Sequence, residues 1–399
     1  MRVSQFLLGA ASGFAIGYAV YRTYEATRPV QKGTDEWRDP ARYGATRRAM
    51  QVAGIARAVS GSTAIAFGPI GERLERSVER LPRWLQPIAF AAEVALLDSV
   101  VELPVDFVEG YAVEHRYGLS EQSVASWISD RAKEDVLGGT VTAMLSGLLA
   151  AVLRRWPAAW PYIASAGVFP LLLLANVIVP IYIMPLFNTY EPIRGPLEER
   201  LRALASRYGV GNAEILRVDM SRQTKKANAF VTGIFNTHRI VVGDTLIENF
   251  PPEEIEFVVA HELGHYVSKD SWRMIAIGQI TATLILFGTF VALRKSADED
   301  AAQMRTLARV QLWTMLFTQA LRPAISAFAR SREWAADRFA LQATQMPREG
   351  AAAFRRLRDQ NLSEEEQPAW YEALFSTHPS LKARIAALEE AQLRDPAAL

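Results

Sequence analysis

In this 399-residue chain, His261-Glu262-Leu263-Gly264-His265 is the segment whose residue types and spacing point to the most specific chemistry. It belongs to a run in which Glu256, Val259, Ala260 and Leu263 recur at helical spacing. Residues four apart stack on one helical face, so both imidazoles can reach a single metal ion. Glu262 adjoins the first imidazole and is too constrained to be a third ligand. It can instead take a proton from a water on the metal, which zinc makes acidic enough for a carboxylate base at neutral pH. Gly264 leaves space where another backbone or a substrate could approach. The bland alternative is two surface histidines on an ordinary helix. Only five histidines occur in the chain, however, so a chance match to this pattern is rare.

Cysteine is absent, which excludes disulfides, thiolate ligands and thiol nucleophiles. Catalytic zinc takes three protein ligands, so the third here must be His, Asp or Glu. Ser331-Arg332-Glu333-Trp334-Ala335-Ala336-Asp337 is the best source. Glu333 and Asp337 are four apart on a helix, so one can bind metal while the other orients an imidazole. Flanked by Arg332 and Arg338, the pair also fits a solvated charged face. His378, in Ser376-Thr377-His378-Pro379 ahead of Arg384, is a candidate to stabilise a tetrahedral oxyanion, or else a capping or core residue. Residues 226–231, containing Asn228, read as a strand that could offer an edge to an extended peptide, or as ordinary sheet. His115 and His238 lack such context and read as structural or surface residues. One Zn2+ per chain is the expected cofactor, although imidazole and carboxylate suit several divalent ions.

These groups must be held by a membrane protein. A bilayer span takes ~20 mostly apolar residues, and seven segments are candidates: 6–20, 52–70, 85–108, 136–153, 162–187, 274–293 and 310–328. The first carries Gly9, Gly13 and Gly17, a stripe suited to close helix packing in lipid, with a signal peptide as its rival. The second is weakened by Arg57. Glu93, Asp98, Glu102 and Asp106 in the third are expected to line a polar interior, the alternative being a soluble amphipathic helix. Pro170, Pro180 and Pro185 should kink the fifth.

The chain thus divides into a membrane region at 1–187, a catalytic insert with short strands at 188–273, two further spans at 274–329 and a helical C-terminal domain at 330–399. In the insert, residues 214–218, 229–232 and 239–242 read as strands, and Pro251-Pro252 introduces the zinc helix. The fold class is mainly α and polytopic, with a small α/β insert. The lipid bilayer is the expected surrounding, and a net charge of +1 speaks against a nucleic-acid partner. Segments after the odd-numbered spans share one side, and the basic stretch 22–48 places that catalytic side in the cytoplasm.

Several of these segments, taken in order, resemble the type I CAAX prenyl proteases, which are multi-pass membrane zinc metalloproteases. Leu103-Pro104-Val105-Asp106 and Glu114-His115-Arg116-Tyr117-Gly118-Leu119 are similar to the Leu-Pro-x-Asp and Glu-x-x-x-Gly-Phe segments of that family. Pro185-Leu186-Phe187-Asn188, Asn228-Ala229-Phe230, Asp244-Thr245-Leu246, Glu333 with Asp337, and His378-Pro379 with Arg384 are similar to its later motifs. The likeness covers Leu103 to Arg384 and departs from the usual Gly-Phe-Asn at Gly118-Leu119-Ser120. Upstream of it, the first hundred residues carry no such segment.

The resemblance implies Glu333 as third ligand and Asp337 as support for a zinc histidine. It further implies Asn228, His378 and Arg384 on substrate backbone or transition state, and a helical barrel enclosing a large chamber with a zincin-like site at one end. The expected function is peptide-bond hydrolysis with Glu262 as general base, on a peptide or protein substrate that is prenylated or not. The alternatives are a membrane quality-control zinc protease and a catalytically silent scaffold that retains a metal.

Overall fold

The computed structural model describes residues 38–234, 237–295 and 304–394. The first candidate span, 6–20, lies outside the described residues. The chain runs through helices α1 (Pro40–Phe67), α2 (Pro69–Val78), α3 (Gln86–Asp106), α4 (Val124–Arg155) and α5 (Trp160–Ile178). Among the described residues, three helical stretches are long and apolar enough to cross a membrane: Val124–Arg155, Trp160–Leu186 and Asp270–Leu293.

Several charges in and beside the other expected spans are paired across helices. Arg57 of α1 reaches Glu102 of α3 at 3.0 Å and Glu109 at 3.4 Å, while Arg131 of α4 reaches Asp106 at 2.8 Å. An arginine in a lipid-embedded helix is tolerable when it faces such partners. Asp98 and Glu102, with Arg131, Glu134 and Asp135, line a cavity of about 610 Å³ within the membrane region. The acids of α3 therefore face protein and cavity, as expected from their depth.

Two departures from simple helices occur, the second of them in the span where prolines were expected to kink the chain. After α3 the backbone loosens into a π-helical stretch, Phe107–Ala112, before a last turn at Val113–Arg116. After α5 it passes through a π-helical stretch at Val179–Ile183, containing Pro180, and a 3-10 turn at Met184–Leu186. Proline has no N–H to give to the helix ladder, so the wider turn follows naturally. The Pro-Leu-Phe-Asn segment that results is anchored by Arg222, which donates to the Phe187 carbonyl and, at 3.0 Å, to buried Asp130 of α4. Gln122 and Gln223 each donate to the same Asp130 oxygen at 2.9 Å, fastening the insert to a membrane helix.

The insert holds a four-stranded sheet: β1 (Tyr190–Pro192), β2 (Glu214–Val218), β3 (Ala229–Thr232) and β4 (Arg239–Gly243), in order β1-β2-β4-β3. Strands β2 and β4 are parallel, and β3 runs antiparallel to β4 with Ala229 opposite Val242. Strand β1 was not anticipated, being three residues long. Helices α6 (Pro196–Arg207), α7 (Asp244–Asn249) and α8 (Pro252–Val267) complete the insert. Helix α8 begins with proline at its start and Glu253 and Glu254 in its first turn, both favourable there. It is buried almost all round: Ile255, Phe257, Val259 and Leu263 share a core with Leu201, Leu204, Ile240 and Val242.

Helix α9 (Asp270–Lys295) leads back through the membrane region, and α10 (Arg305–Thr344) returns as one continuous 40-residue rod. It crosses residue 330 without a break, so Glu333 and Asp337 sit on the extension of the last expected span. Helices α11 (Pro347–Asn361), α12 (Ala369–Phe375) and α13 (Leu381–Arg394) finish the described chain.

Helices α8 and α10 cross at Gly264. A Cβ there would lie 3.1 Å from the Ala336 Cα and from the Phe339 Cβ. That contact is tight enough to need the hydrogen, and it brings Glu333 beside the two histidines. Gly264→Val should therefore overpack the crossing at a cost of about 1–3 kcal/mol, seen as a lower thermal unfolding midpoint in detergent. Gly61→Val, where no atom lies within 4 Å of an added Cβ, is the control and should leave the midpoint in place. Equal midpoints for both variants would contradict this packing.

Candidate active site

The two imidazoles project from adjacent turns of α8, with ring centroids 5.0 Å apart and planes nearly perpendicular at 87°. Each is held from behind by a carboxylate. Asp337 lies 2.8 Å from His261 Nδ1, and Asp270 lies 3.0 Å from His265 Nδ1. A carboxylate accepts only, so both Nδ1 atoms carry the proton and both Nε2 lone pairs point the other way. They point at Glu333: His261 Nε2 is 3.4 Å from its Oε2, and His265 Nε2 is 3.3 Å from its Oε1.

This convergence decides what the site can hold. One ligand atom from each of His261, His265 and Glu333 lies within 4.8 Å of the others. Metal bonds of ~2.0–2.2 Å in tetrahedral geometry separate neighbouring ligand atoms by roughly 3.3–3.5 Å, and each imidazole stands at such a separation from one of the two carboxylate oxygens. Glu333 Oε2 is moreover buried without a hydrogen-bond partner among the described residues. Three acceptors facing one point repel unless positive charge lies between them, and a divalent cation supplies it. The residues fit a metal.

The electrostatics carry the same demand. A proton can meet the same demand: burial disfavours a charged His261, yet the facing carboxylates of Asp337 and Glu333 outweigh this and hold its pKa at about 9, so a metal must displace that proton from Nε2. Burial likewise opposes charge on Glu333, but the facing imidazoles of His261 and His265 hold its carboxyl below the usual glutamate range. Glu262 differs: burial raises its pKa above the ordinary value, partly offset by the nearby histidines.

Glu262, Asn228 and His378 line one cleft of about 470 Å³ together with His261, Glu333 and Arg384. Among the described residues the Glu262 carboxylate has no side-chain hydrogen-bond partner and opens into this cleft. Alternation along β3 buries Ala227 and Ala229 and turns Asn228 outward into the cleft. His378 remains 64% exposed, with Nε2 3.5 Å from Glu333 Oε1 and Nδ1 2.9 Å from the Thr377 hydroxyl. Arg384 is buried and forms a two-pronged pair with Asp337 at 2.6 and 2.8 Å; its remaining nitrogen lies 3.7 Å from Glu333 Oε2. These contacts join Arg384 to the carboxylates beside the histidines, and it lines the cleft as well.

Asp270 escaped the sequence reading. It stands five residues past His265, beyond the end of α8, where Lys269 takes φ 56° and reverses the chain. Arg332, one residue before Glu333, donates to it at 2.7 Å. The signal was an acid at a helix junction close to a ligand histidine, which spacing on a single helix cannot register. The two remaining histidines lie elsewhere. His115 bonds the carbonyls of Tyr111 and Gln122 at 2.8 and 2.9 Å, and His238 meets the Tyr266 hydroxyl at 3.3 Å.

Known proteins share this arrangement of chain. A family description reading "Peptidase family M48" matches residues 194–392, and "CAAX prenyl protease N-terminal, five membrane helices" matches 40–189. The likeness thus begins well upstream of Leu103, where no motif had been recognised. A CAAX prenyl protease 1 homolog of Oryza sativa subsp. japonica is 30% identical over 322 residues, which is 77% of this chain and 74% of the relative. An uncharacterized metalloprotease of Bacillus subtilis is 29% identical over 313 residues, 76% of this chain and 73% of the relative. The crystal structure of S. mikatae Ste24p has the same fold, with a TM-score of 0.77 at 22% identity, covering 95% of this chain and 98% of that one. With the membrane helices, the metal-fitting residues and these likenesses together, the chain belongs to peptidase family M48, as a membrane-embedded metallopeptidase related to the CAAX prenyl proteases.

Proposed function

We propose that the protein is a zinc endopeptidase that cuts flexible C-terminal peptides of CAAX type, with the catalytic side facing the cytoplasm. The observation that carries this reading is the convergence of His261, His265 and Glu333 in the same cleft as the free carboxylate of Glu262 and the edge strand β3. The relatives' names supply the substrate class, and the basic residues beside the expected spans support the orientation.

When bound, zinc supplies Lewis-acid polarisation of a carbonyl and a water acidic enough for a carboxylate to deprotonate at neutral pH. The chain's own residues do the rest. His261, His265 and Glu333 are the ligands, and Asp337 and Asp270 keep the imidazole lone pairs aimed inward. Glu262 takes the water's proton and passes it to the leaving amine nitrogen. With the Thr377 hydroxyl donating to His378 Nδ1, Nε2 carries the proton and donates to the developing oxyanion. Arg384 is a positioning residue, fixing Asp337 and balancing charge on Glu333. Asn228 meets the substrate backbone, and the β3 edge pairs with it in extended form. Pairing through main chain favours unfolded peptides and tolerates varied sequence, so a prenyl group helps binding but is dispensable.

Glu262→Gln should abolish cleavage of a CAAX-type peptide while zinc per chain stays at the wild-type level. Turnover retained in that variant would remove Glu262 from the base role. His378→Ala should keep zinc and lose roughly 100- to 1,000-fold in kcat; an unchanged kcat would leave His378 without a part in the chemistry.

Glu333→Ala should lose the metal, measured by elemental analysis of the purified protein. Asp337→Ala and Asp270→Ala should each cost less, roughly 10- to 100-fold in metal affinity or activity. Metal lost from Asp337→Ala but kept by Glu333→Ala would reverse the two assignments.

A further inference from the structure

Helix α11 ends at Asn361, and the following Leu362 adopts a left-handed φ of 55°. A leucine held there implies a constraint from its surroundings. Leu362 is buried against Tyr43, Val113, Tyr117 and Leu119, which fixes where α11 stops. The Asn361 carboxamide is thereby delivered to the chain just before β3. Its Oδ1 accepts from the Ala227 N–H at 2.7 Å, and its Nδ2 donates to the Ala227 carbonyl at 3.0 Å.

The alternation of β3 gives this clamp its meaning. Gly243 donates its N–H to the Asn228 carbonyl at 2.9 Å, and Phe230 lies opposite Val241. Residues 228, 230 and 232 therefore turn their backbone groups toward β4, and residues 227, 229 and 231 turn theirs to the open edge. Among the described residues, the outward groups of Ala229 and Val231 have no partner, whereas both of Ala227's are taken by Asn361. The carboxamide occupies the place that a residue of the next strand would take. An incoming peptide can pair at Ala229 and Val231, ~7 Å apart along the edge, and can pair no further. Past Asn361 the cleft continues along Ser363, Gln367, Tyr371 and Phe375, where contact is through side chains.

We propose that Asn361 is a positioning residue that stops the substrate's β-pairing at Ala227, and so selects which peptide bond lies at the metal. The inference rests on the reading that peptides dock on the β3 edge. Without the stop, the outward groups of Ala227 become a third pairing position. The peptide then slides by two residues, the smallest slip that keeps the same side chains facing the cleft.

The test uses the full-length, zinc-loaded protein in detergent and a flexible peptide containing several equivalent bonds, with products identified by mass spectrometry. The wild type should cut at one bond, and Asn361→Ala should add a cut two residues away at unchanged zinc content. A purely structural loss would slow cleavage without moving the bond. Should Asn361→Ala fail to purify folded and zinc-loaded, Asn361→Ser is read in the same way. A single unshifted cut in the folded variant overturns the proposal. Ala229→Pro separates the two layers, because its lost N–H faces the open edge and spares the pairing with β4. Undiminished cleavage by Ala229→Pro overturns the docking reading, and this inference with it. Lost cleavage there, together with an unshifted cut in Asn361→Ala, overturns this inference alone.

Discussion

Two imidazole lone pairs and a buried carboxylate face one point at 3.3–3.4 Å, and only positive charge between them makes that arrangement stable. Much of the surrounding structure can be understood as holding these three groups in place. The close crossing at Gly264 presses α10 onto α8. Asp337 and Asp270 lock the rings from behind, and each is itself held by an arginine, Arg384 and Arg332 respectively. These acids and arginines thus distribute charge behind the ligands so that neither Asp337 nor Asp270 is buried alone, a condition for keeping such groups out of water.

The site is also coupled to the membrane region through covalent continuity. Glu333 and Asp337 ride on α10, the same rod that descends among the membrane helices, and Asp270 opens α9, which descends beside it. On the other side of the sheet, Asp130 of α4 receives Gln122, Arg222 and Gln223 and ties the insert to the membrane helices. The metal-fitting residues therefore share rigid elements with the walls of the membrane cavity. Relative motion of insert and membrane region would have to bend α10 or break the Asp130 cluster.

What could be recognised from sequence followed from how local each signal is. The His261/His265 pair is legible because four residues make one helical turn, and three of the insert's four strands are legible because β-branched residues cluster between turn signals. Spacing alone left the division of labour between Glu333 and Asp337 open, and only the family resemblance supplied it, since both lie on one helical face and the approach of α8 decides which carboxylate meets Nε2. Asp270 was hidden because its role arises from a chain reversal at Lys269 with positive φ. Arg57 weakened a candidate span on composition alone, yet its partners Glu102 and Glu109 sit about fifty residues away on another helix. The unbroken course of α10 was obscured for a related reason: polarity changes at residue 330, but helical backbone does not. Asn361 carried no motif in the sequence reading, because its meaning depends on which edge of β3 faces outward.

X-ray absorption at the zinc K-edge of purified protein tests the central claim most directly, because it reports the ligands themselves. The account predicts one zinc per chain in a shell of light atoms at ~2.0–2.2 Å, with multiple-scattering features of two imidazoles and the remainder oxygen. A protein that binds no zinc, or a shell with one imidazole or three, would contradict it.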